Sequence, residues 1–222
     1  AVSRAYEPSV TLIIAAYNEE AWLGRKIENS KGLDYPEDKL KIIVITDGSN
    51  DASADIAGSD PRILHLHEPA RRGKMAAMNR AMTFADSEIV VFSDANALLN
   101  KEALRELVSY FQDADVGCVS GEKRVSMDSP NRAASAGEGL YWRFESLIKR
   151  GEARLGSCIG AAGELFAIRT GLFTPMPEDT LTDDFAISLS IALQGYRIQY
   201  APRAYAAETS SADIDEEFKR KI

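Results

Sequence analysis

The chain lacks the features that would mark a membrane span or a general nucleic-acid binder. Its apolar runs all fall short of the ~18 residues that a transmembrane helix needs. The formal net charge is −8, whereas non-specific binding to nucleic acid requires a basic face that displaces counterions. An acidic protein must therefore hold any anionic substrate with local groups, such as backbone N–H, a few basic side chains or a metal ion.

Cysteine and histidine are also scarce. The two cysteines, Cys118 and Cys158, are flanked by small or apolar residues. This context predicts buried free thiols in a reducing compartment, in preference to a disulfide or a metal site. The two histidines, His65 and His67, share one face of a predicted strand. A pair without further ligands rarely binds a metal, so we interpret them as structural.

The glycine-rich signatures of common nucleotide-binding folds are missing as well. Neither G-x-G-x-x-G nor G-x-x-x-x-G-K-[ST] follows the first predicted strand, which ends instead in AAYNEE. A Rossmann dehydrogenase and a P-loop NTPase are therefore not supported. A nucleotidyltransferase, which shares a similar α/β core, would need a G-G-x-G-T-like loop at the same place and is the weaker enzyme alternative.

What the sequence does contain is a regular alternation of strands and helices. We predict buried strands in SVTLIIAAY, LKIIVITDGS, RILHLH, EIVVFSDA and VGCVSGEKRV, with helical segments between them. Continuous apolar, β-branched runs are typical of strands that are buried on both faces. The alternation predicts βαβ units and an α/β fold with a mostly parallel sheet flanked by helices.

Polar residues follow three of these strands at their carboxyl ends. The clusters are Tyr17-Asn18-Glu19, Asp47-Gly48-Ser49 and Asp94-Ala95-Asn96. Ligands of open α/β sheets bind outside the carboxyl ends of the strands. We therefore expect the three clusters to converge on one cleft.

The second half of the chain is less regular. It contains a long amphipathic helix in GEGLYWRFESLIKRGEARLG, a small-residue turn and strand in GAAGELFAIR, and a helix and strand in DDFAISLSIALQGYRIQYAP. The final stretch, DIDEEFKRKI, places Ile214, Phe218 and Ile222 four residues apart and predicts an amphipathic helix. No repeat or linker interrupts the chain, which favours one domain.

Six stretches follow one another along nearly the whole chain: TLIIAAYNEE, IIVITDGSNDAS, RRGKMAAMNRAM, IVVFSDANALL, GAAGELFAIRTGLF and LTDDFAISLSIALQGYRI. In this order they resemble the family 2 glycosyltransferases of the GT-A fold. The resemblance is strongest to the membrane-bound processive branch, which includes synthases of cellulose and poly-N-acetylglucosamine. It implies a Rossmann-like sheet with an appended acceptor-side half. The expected single catalytic domain spans 1–222, with a nucleotide-sugar-binding half over 1–125 and an acceptor and catalytic-base half over 126–222.

The resemblance also implies a reaction and its partners. An inverting enzyme would move a sugar from a nucleotide-diphosphate sugar, a UDP-sugar by preference, to a hydroxyl of a carbohydrate or lipid-linked acceptor. Relatives lie at the cytoplasmic face of the cell membrane, so we expect a soluble fragment of a protein that meets the membrane through segments missing here. They carry a Gln/Arg-x-x-Arg-Trp segment shortly after this chain's last residue, which suggests C-terminal truncation. The alternative is a sugar-nucleotide-binding scaffold without transfer activity.

The resemblance assigns donor contacts to the strand ends and to the basic RRGK stretch. Asp47 would accept hydrogen bonds from the base or the ribose, with Tyr17 and Glu19 in the same pocket. Lys74 would contact the diphosphate from the start of a helix whose N–H groups favour an anion, with Asn79 as a helper. The plainer interpretations are a turn aspartate, a helix-start glutamate and a solvated basic loop.

Asp94 and Asn96 stand where the family has Asp-x-Asp. Mg²⁺ and Mn²⁺ take oxygen ligands, and one carboxylate is enough when a diphosphate supplies the others. We predict a divalent-cation site at Asp94 and Asn96 that forms fully only when nucleotide is present.

The triplet Thr182-Asp183-Asp184 aligns with the family triplet whose last acid deprotonates the attacking hydroxyl. Asp184 would be the catalytic base and Asp183 its neighbour, and the proximity of two acids favours a raised pKa for one of them. Helix capping by Thr182, with two acids in the first turn, is the structural alternative.

Overall fold

The computed structural model describes residues 6–126 and 132–209. Within them one sheet of eight strands has the order β3-β2-β1-β4-β7-β6-β8-β5. The strands are β1 (Val10–Ala16), β2 (Leu40–Asp47), β3 (Ile63–Glu68), β4 (Ile89–Asp94), β5 (Leu98–Leu99), β6 (Val116–Ser126), β7 (Leu165–Arg169) and β8 (Arg197–Thr209). The α-helices are α1 (Glu20–Lys31), α2 (Ser53–Gly58), α3 (Lys74–Met82), α4 (Ala103–Ser109), α5 (Arg132–Leu155) and α6 (Asp183–Leu193).

The strand directions confirm the mostly parallel α/β sheet. β1 pairs in parallel with β2 and β4, β2 with β3, and β6 with β8. β7 is antiparallel to both β4 and β6 and lies between them, and β5 is antiparallel to β8. The sequence pattern predicts neither β5 nor the reversed direction of β7, because a short apolar run carries no information about strand direction.

Helices cover both faces of the sheet, and alternate residues of β1 show how. Leu12 and Ile14 face a core that includes residues of α1 and α4. Ile13, between them, faces a second core that includes residues of α3 and α6. This alternation follows from the two-residue period of a strand. It explains why β1 reads as a continuous apolar run, since both of its faces are buried.

Other predictions from the sequence can be checked directly. Cys118 and Cys158 are buried free thiols, as predicted, and burial raises the pKa of Cys158 to about 11. His65 and His67 both hydrogen-bond the hydroxyl of Thr46, each at 2.9 Å. The helix predicted through Ile214 lies outside the described residues. No helix of the described part of the chain has the length and apolarity to cross a membrane. The boundary at 125 between the two functional halves stays a prediction.

Candidate donor and catalytic site

The turns that follow β1 and β2 are hydrogen-bonded to each other. The side-chain oxygen of Asn18 accepts the N–H of Asn50 at 3.0 Å, and the N–H of Asn18 donates to the Ser49 hydroxyl at 3.2 Å. Asn18 has a φ of 53°, a left-handed conformation that asparagine tolerates better than most residues. At the start of α1, the N–H of Glu19 donates to the Ser53 hydroxyl at 2.8 Å. Two of the predicted strand-end clusters are therefore adjacent.

Asp47 organises the basic loop that precedes α3. Its Oδ2 accepts the N–H groups of Arg72 and Gly73 at 2.8 and 2.7 Å, and its Oδ1 accepts the Arg80 guanidinium at 3.1 Å. The carboxylate is only 4% exposed. Gly73 has a φ of 98°, which suits glycine and turns the chain into α3. Contact between Asp47 and a nucleotide stays a prediction.

The same loop places a guanidinium on an aromatic ring. The Cζ of Arg71 lies 3.9 Å from the centre of the Tyr17 ring, the geometry of a cation–π contact. Gly48 allows this approach, because a Cβ at that position would lie 2.5 Å from the backbone nitrogen of Arg71. Tyr17 is 40% exposed, so the stacked pair forms part of the surface. Arg72 pairs instead with Glu178 at 2.6 Å.

Lys74 joins the two halves of the chain. Its ammonium lies 2.8 Å from Oδ1 of Asp94, at the end of β4, and 3.1 Å from Oδ2 of Asp183, at the start of α6. Burial alone would lower the pKa of Lys74, but the charges of Asp94 and Asp183 outweigh it and raise that pKa. Three residues that the sequence analysis placed in the site are therefore in direct contact.

Asp184 is the neighbouring acid on α6. Burial is the main cause of a raised pKa for its carboxyl group, and the charge of Asp183 adds to it. The Phe185 N–H and the Lys74 charge act in the opposite direction. Gly163 faces this carboxylate, since a Cβ there would lie 3.3 Å from Oδ2 of Asp184.

The helix-capping alternative at the start of α6 is only partly correct. Thr182 occupies the N-cap position, and its carbonyl accepts the N–H of Ala186 at 3.0 Å. Its side chain makes no capping hydrogen bond. Asp183 and Asp184 do lie in the first turn, where a carboxylate interacts favourably with the helix dipole.

Asn79 lies on α3 but is paired with another segment. Its amide nitrogen donates to the carbonyl of Met176 at 2.8 Å, and its amide oxygen accepts the Met176 N–H at 3.2 Å. The predicted phosphate contact by Asn79 therefore stays a prediction that requires this pair to open.

A pocket lies where these elements meet. Lys74, Asp94 and Asp183 form its charged wall, Gly163 forms another side, and its floor is mainly apolar. The floor is made by Ile13, Ala15, Met78, Phe92 and Ser93.

A model of the family described as "Glycosyltransferase like family 2" matches residues 8–222. The chain belongs to this family. This match confirms the resemblance seen in the six sequence stretches. It spans about half the length of the curated relatives it matches.

Two of those relatives are synthases. The chain is 28% identical over 207 residues to poly-beta-1,6-N-acetyl-D-glucosamine synthase of Staphylococcus aureus, covering 88% of this chain and 48% of the relative. It is 26% identical over 204 residues to beta-monoglucosyldiacylglycerol synthase of Synechocystis, covering 86% of this chain and 42% of the relative.

Solved structures confirm the GT-A fold. The mannosyltransferase PcManGT of Pyrobaculum calidifontis, solved with GDP-Man and Mn²⁺, is 28% identical and superimposes with a TM-score of 0.84. That match covers 100% of this chain and 62% of the other. TarS of S. aureus, solved with UDP, is 20% identical with a TM-score of 0.72, over 96% of this chain and 63% of that one, and shows likeness of fold only.

The donor set of the family 2 chain suits a hard divalent cation shared with a ligand. Asp94 and Asn96 offer oxygen donors, and the buried Oδ2 of Asp183 accepts no hydrogen bond of good geometry from the described residues. No group of three His, Cys, Asp or Glu in the described ranges is arranged to hold a metal by itself. A cation held by Asp94 and Asn96 would therefore need oxygens from a diphosphate, as the sequence predicts.

The structure also brings in residues that the sequence analysis did not assign. The run RRGK does not indicate which arginine faces the strand ends, and the structure shows that Arg71 lies on the Tyr17 ring. Arg80 lies 33 residues from Asp47 in the sequence, so only the fold shows their contact. Ser93 precedes Asp94 directly, but only the fold shows that its hydroxyl accepts a hydrogen bond from Lys26. The sequence predicts a small-residue turn in GAAGELFAIR, and Gly163 of that turn lines the pocket.

Proposed function

We propose that the chain is the catalytic domain of an inverting glycosyltransferase that uses a nucleotide-diphosphate sugar, by preference a UDP-sugar. The acceptor would be a hydroxyl of a growing polysaccharide or of a glycolipid. The observation that carries this proposal is the ion-paired group of Lys74, Asp94 and Asp183 beside Asp184. This group places Lys74, the candidate diphosphate contact, near Asp184, the candidate base. The names of the two synthase relatives support the substrate classes.

Asp184 is the proposed base. A sugar hydroxyl is a poor nucleophile at neutral pH, and a positioned carboxylate that takes its proton contributes ~10²–10⁴-fold to the rate. Burial raises the pKa of Asp184, which makes the carboxylate a stronger base than an exposed one. Gly163 leaves space beside the carboxylate for the acceptor hydroxyl.

Lys74 is the proposed counter-charge for the departing diphosphate. Its ammonium already lies beside Asp94, at the carboxyl end of β4, where α/β sheets bind their ligands. Positive charge placed before the reaction stabilises the negative charge that develops on the leaving group. A divalent cation held by Asp94 and Asn96, when bound, would supply further positive charge to the same oxygens.

The nucleoside is proposed to lie across the turns after β1 and β2. Tyr17 and Arg71 form a stacked, partly exposed pair that suits the face of a base. Asp47 and Glu19 supply carboxylates for the base or the ribose, and Asn79 is a proposed helper at the phosphates. Attachment of the complete protein to the cytoplasmic face of a membrane belongs to the same proposal.

The test is a calorimetric titration of UDP into the chain, with and without Mn²⁺, for wild type and Asp94→Ala. Micromolar binding that needs Mn²⁺ and is lost in Asp94→Ala is the expected result. An affinity for UDP that is the same with and without Mn²⁺, and the same in Asp94→Ala, would overturn the metal assignment. A parallel titration of GDP tests which nucleobase the donor carries. Tighter binding of GDP than of UDP would make the donor a GDP-sugar.

Transfer activity separates an enzyme from a scaffold that only binds the sugar nucleotide. In the full-length protein, Asp184→Asn should abolish transfer while donor affinity stays unchanged. Undiminished transfer would remove Asp184 from the proposed role. A wild-type protein that binds donor and transfers nothing to any hydroxyl acceptor would favour the scaffold.

A further inference from the structure

A fully buried lysine lies beneath the segment that carries Asp94 and Asn96. Lys26 belongs to α1 and its side chain is 0% exposed. Its ammonium donates one hydrogen bond to the hydroxyl of Ser93 at 2.7 Å and another to the carbonyl of Ala97. These two partners bracket Asp94 and Asn96 in the sequence. A single ammonium therefore spans the base of the turn.

Asn29, one helical turn later on α1, makes a second attachment. Its amide nitrogen donates to the carbonyl of Leu99 at 2.9 Å, and its amide oxygen accepts the N–H of Leu99 at 2.8 Å. Lys26 and Asn29 together fasten residues 93–99 to α1 with four hydrogen bonds. We call this pair of side chains the α1 clamp.

Ser93 links Lys26 to the segment that contains Gly163, on the other side of the pocket. Its hydroxyl accepts from Lys26 and donates to the carbonyl of Glu164 at 3.0 Å. Glu164 directly follows Gly163, which faces the carboxylate of Asp184. The ammonium of Lys26 is thus linked to both sides of the candidate site.

Burying an ammonium group in a protein core costs desolvation free energy. No carboxylate of the described residues lies within ion-pair distance of Lys26, and both of its hydrogen-bond acceptors are neutral oxygens. Burial lowers the pKa of Lys26 to about 7, although the charges of Asp94 and Glu208 act in the opposite direction. An apolar side chain of similar length would serve packing at least as well. The hydrogen bonds to the turn are what such a side chain could not replace.

We propose that Lys26, with Asn29, is a positioning residue that holds Asp94 and Asn96 in the arrangement that binds the diphosphate and its cation. This inference rests on the proposed function. Lys26 acts through the turn and does not touch the ligand. The clamp and the charge have opposite consequences for a cation at Asp94. Loss of the clamp weakens cation binding, whereas loss of a nearby positive charge by itself strengthens it.

The experiment compares the Mn²⁺-dependent affinity for UDP of wild type and Lys26→Met by calorimetry. Methionine keeps the length and the apolar stem and removes the hydrogen bonds. We expect UDP affinity in the presence of Mn²⁺ to fall by ~10–100-fold, the range typical of residues that orient metal ligands. Affinity that is unchanged or tighter would overturn the proposal.

Tyr35→Phe is the matched control for a general loss of stability. Its hydroxyl is buried and donates to the carbonyl of Pro8 at 2.6 Å, remote from the turn. A variant that loses this bond should melt earlier and still bind UDP with Mn²⁺ as wild type does. An equal loss of affinity in Tyr35→Phe would mean that the effect of Lys26→Met is one of stability, and would also overturn the proposal.

If Lys26→Met does not fold, Asn29→Ala tests the α1 clamp by removing a neutral side chain. It removes the attachment at Leu99 and leaves every charge in place, so weaker Mn²⁺-dependent binding is again expected. Wild-type affinity in Asn29→Ala would count against the clamp. Failure of the proposed function is distinguishable, because wild type itself would then show no Mn²⁺-dependent binding of UDP.

Discussion

The ammonium of Lys74 lies 3.1 Å from the carboxylate of Asp183, and this contact joins the start of α3 to the start of α6. Asp183 directly precedes Asp184, the candidate base. The same ammonium is 2.8 Å from Asp94, so one side chain holds residues from both halves of the chain.

Lys74→Met should weaken donor binding most directly. It removes a charged partner of the diphosphate, and hydrogen bonds to charged groups are each worth ~1.5–3 kcal/mol, or about 10–100-fold in affinity. Calorimetry with UDP measures the loss. Lys41→Met is the control, because Lys41 pairs with the exposed Asp86 at 3.0 Å on the surface, away from the pocket. Equal binding by both variants would contradict the role of Lys74.

The pH dependence of transfer should follow the ionisation of Asp184. A base must be ionised, and the raised pKa of Asp184 places the acid limb of kcat/KM at higher pH than for an exposed aspartate. The nearby Lys74 charge lowers that pKa, so Lys74→Met should move the limb further towards neutral pH. A pH–rate profile of the full-length variants checks the direction. A shift to lower pH would contradict the assignment of Asp184 as the base.

Gly163→Ala should impair the chemical step more than donor binding. The added Cβ would lie 3.3 Å from Oδ2 of Asp184, so the carboxylate has to shift by a few tenths of an ångström. We expect a lower kcat with an unchanged affinity for UDP. Gly171→Ala is a matched control, since nothing lies within 4 Å of a Cβ at that position. A kcat equal to that of Gly171→Ala would show that the space beside Asp184 is not needed.

Gly48→Ala should disrupt the stacked pair of Tyr17 and Arg71. Gly48 has a φ of 69°, and a Cβ would lie 2.5 Å from the backbone nitrogen of Arg71, which cannot move without its loop. Gly195→Ala has a φ of 94° without any neighbour within 4 Å, so it reports the backbone strain alone, about 1–2 kcal/mol. Thermal unfolding should show a larger loss for Gly48→Ala. Equal losses would mean that the clash is relieved.

The buried Lys26 predicts a stability that rises with pH. Its pKa is about 7 in the folded chain and 10.5 without burial, so between these values the unfolded state binds more protons. The free energy of unfolding should therefore gain up to ~1.4 kcal/mol per pH unit from this group as pH rises from 7 to 10. Denaturant unfolding of wild type and Lys26→Met over that range measures the contribution. The same pH slope in both proteins would contradict it.

The local sequence pattern predicts most of the strands and helices. The features that it does not predict depend on contacts between residues that are distant in the sequence. The apolar run of β1 and the helical stripe of α3 are local, and both elements lie where the pattern predicts. The reversal of β7 depends on how the chain returns to the sheet, which no short stretch records. Asn79 shows the same limit at the site, because its pairing with Met176 joins residues that are distant in the sequence. The contact of Lys74 with Asp183 is likewise a product of the assembled sheet.

The reversed direction of β7 has a practical consequence for engineering. Leu165, at its first residue, pairs with Ser93 near the end of β4, so the loop before β7 arrives at the ligand edge where its neighbours leave. That loop, 156–164, supplies one wall of the pocket and is followed by a strand held on both sides by β4 and β6. The loop is also tied to the core, because the N–H groups of Ala161 and Ala162 donate to the hydroxyls of Ser188 and Ser120 at 3.1 and 3.0 Å. Redesign of this side of the pocket should therefore vary the residue at Gly163 and leave those two attachments in place.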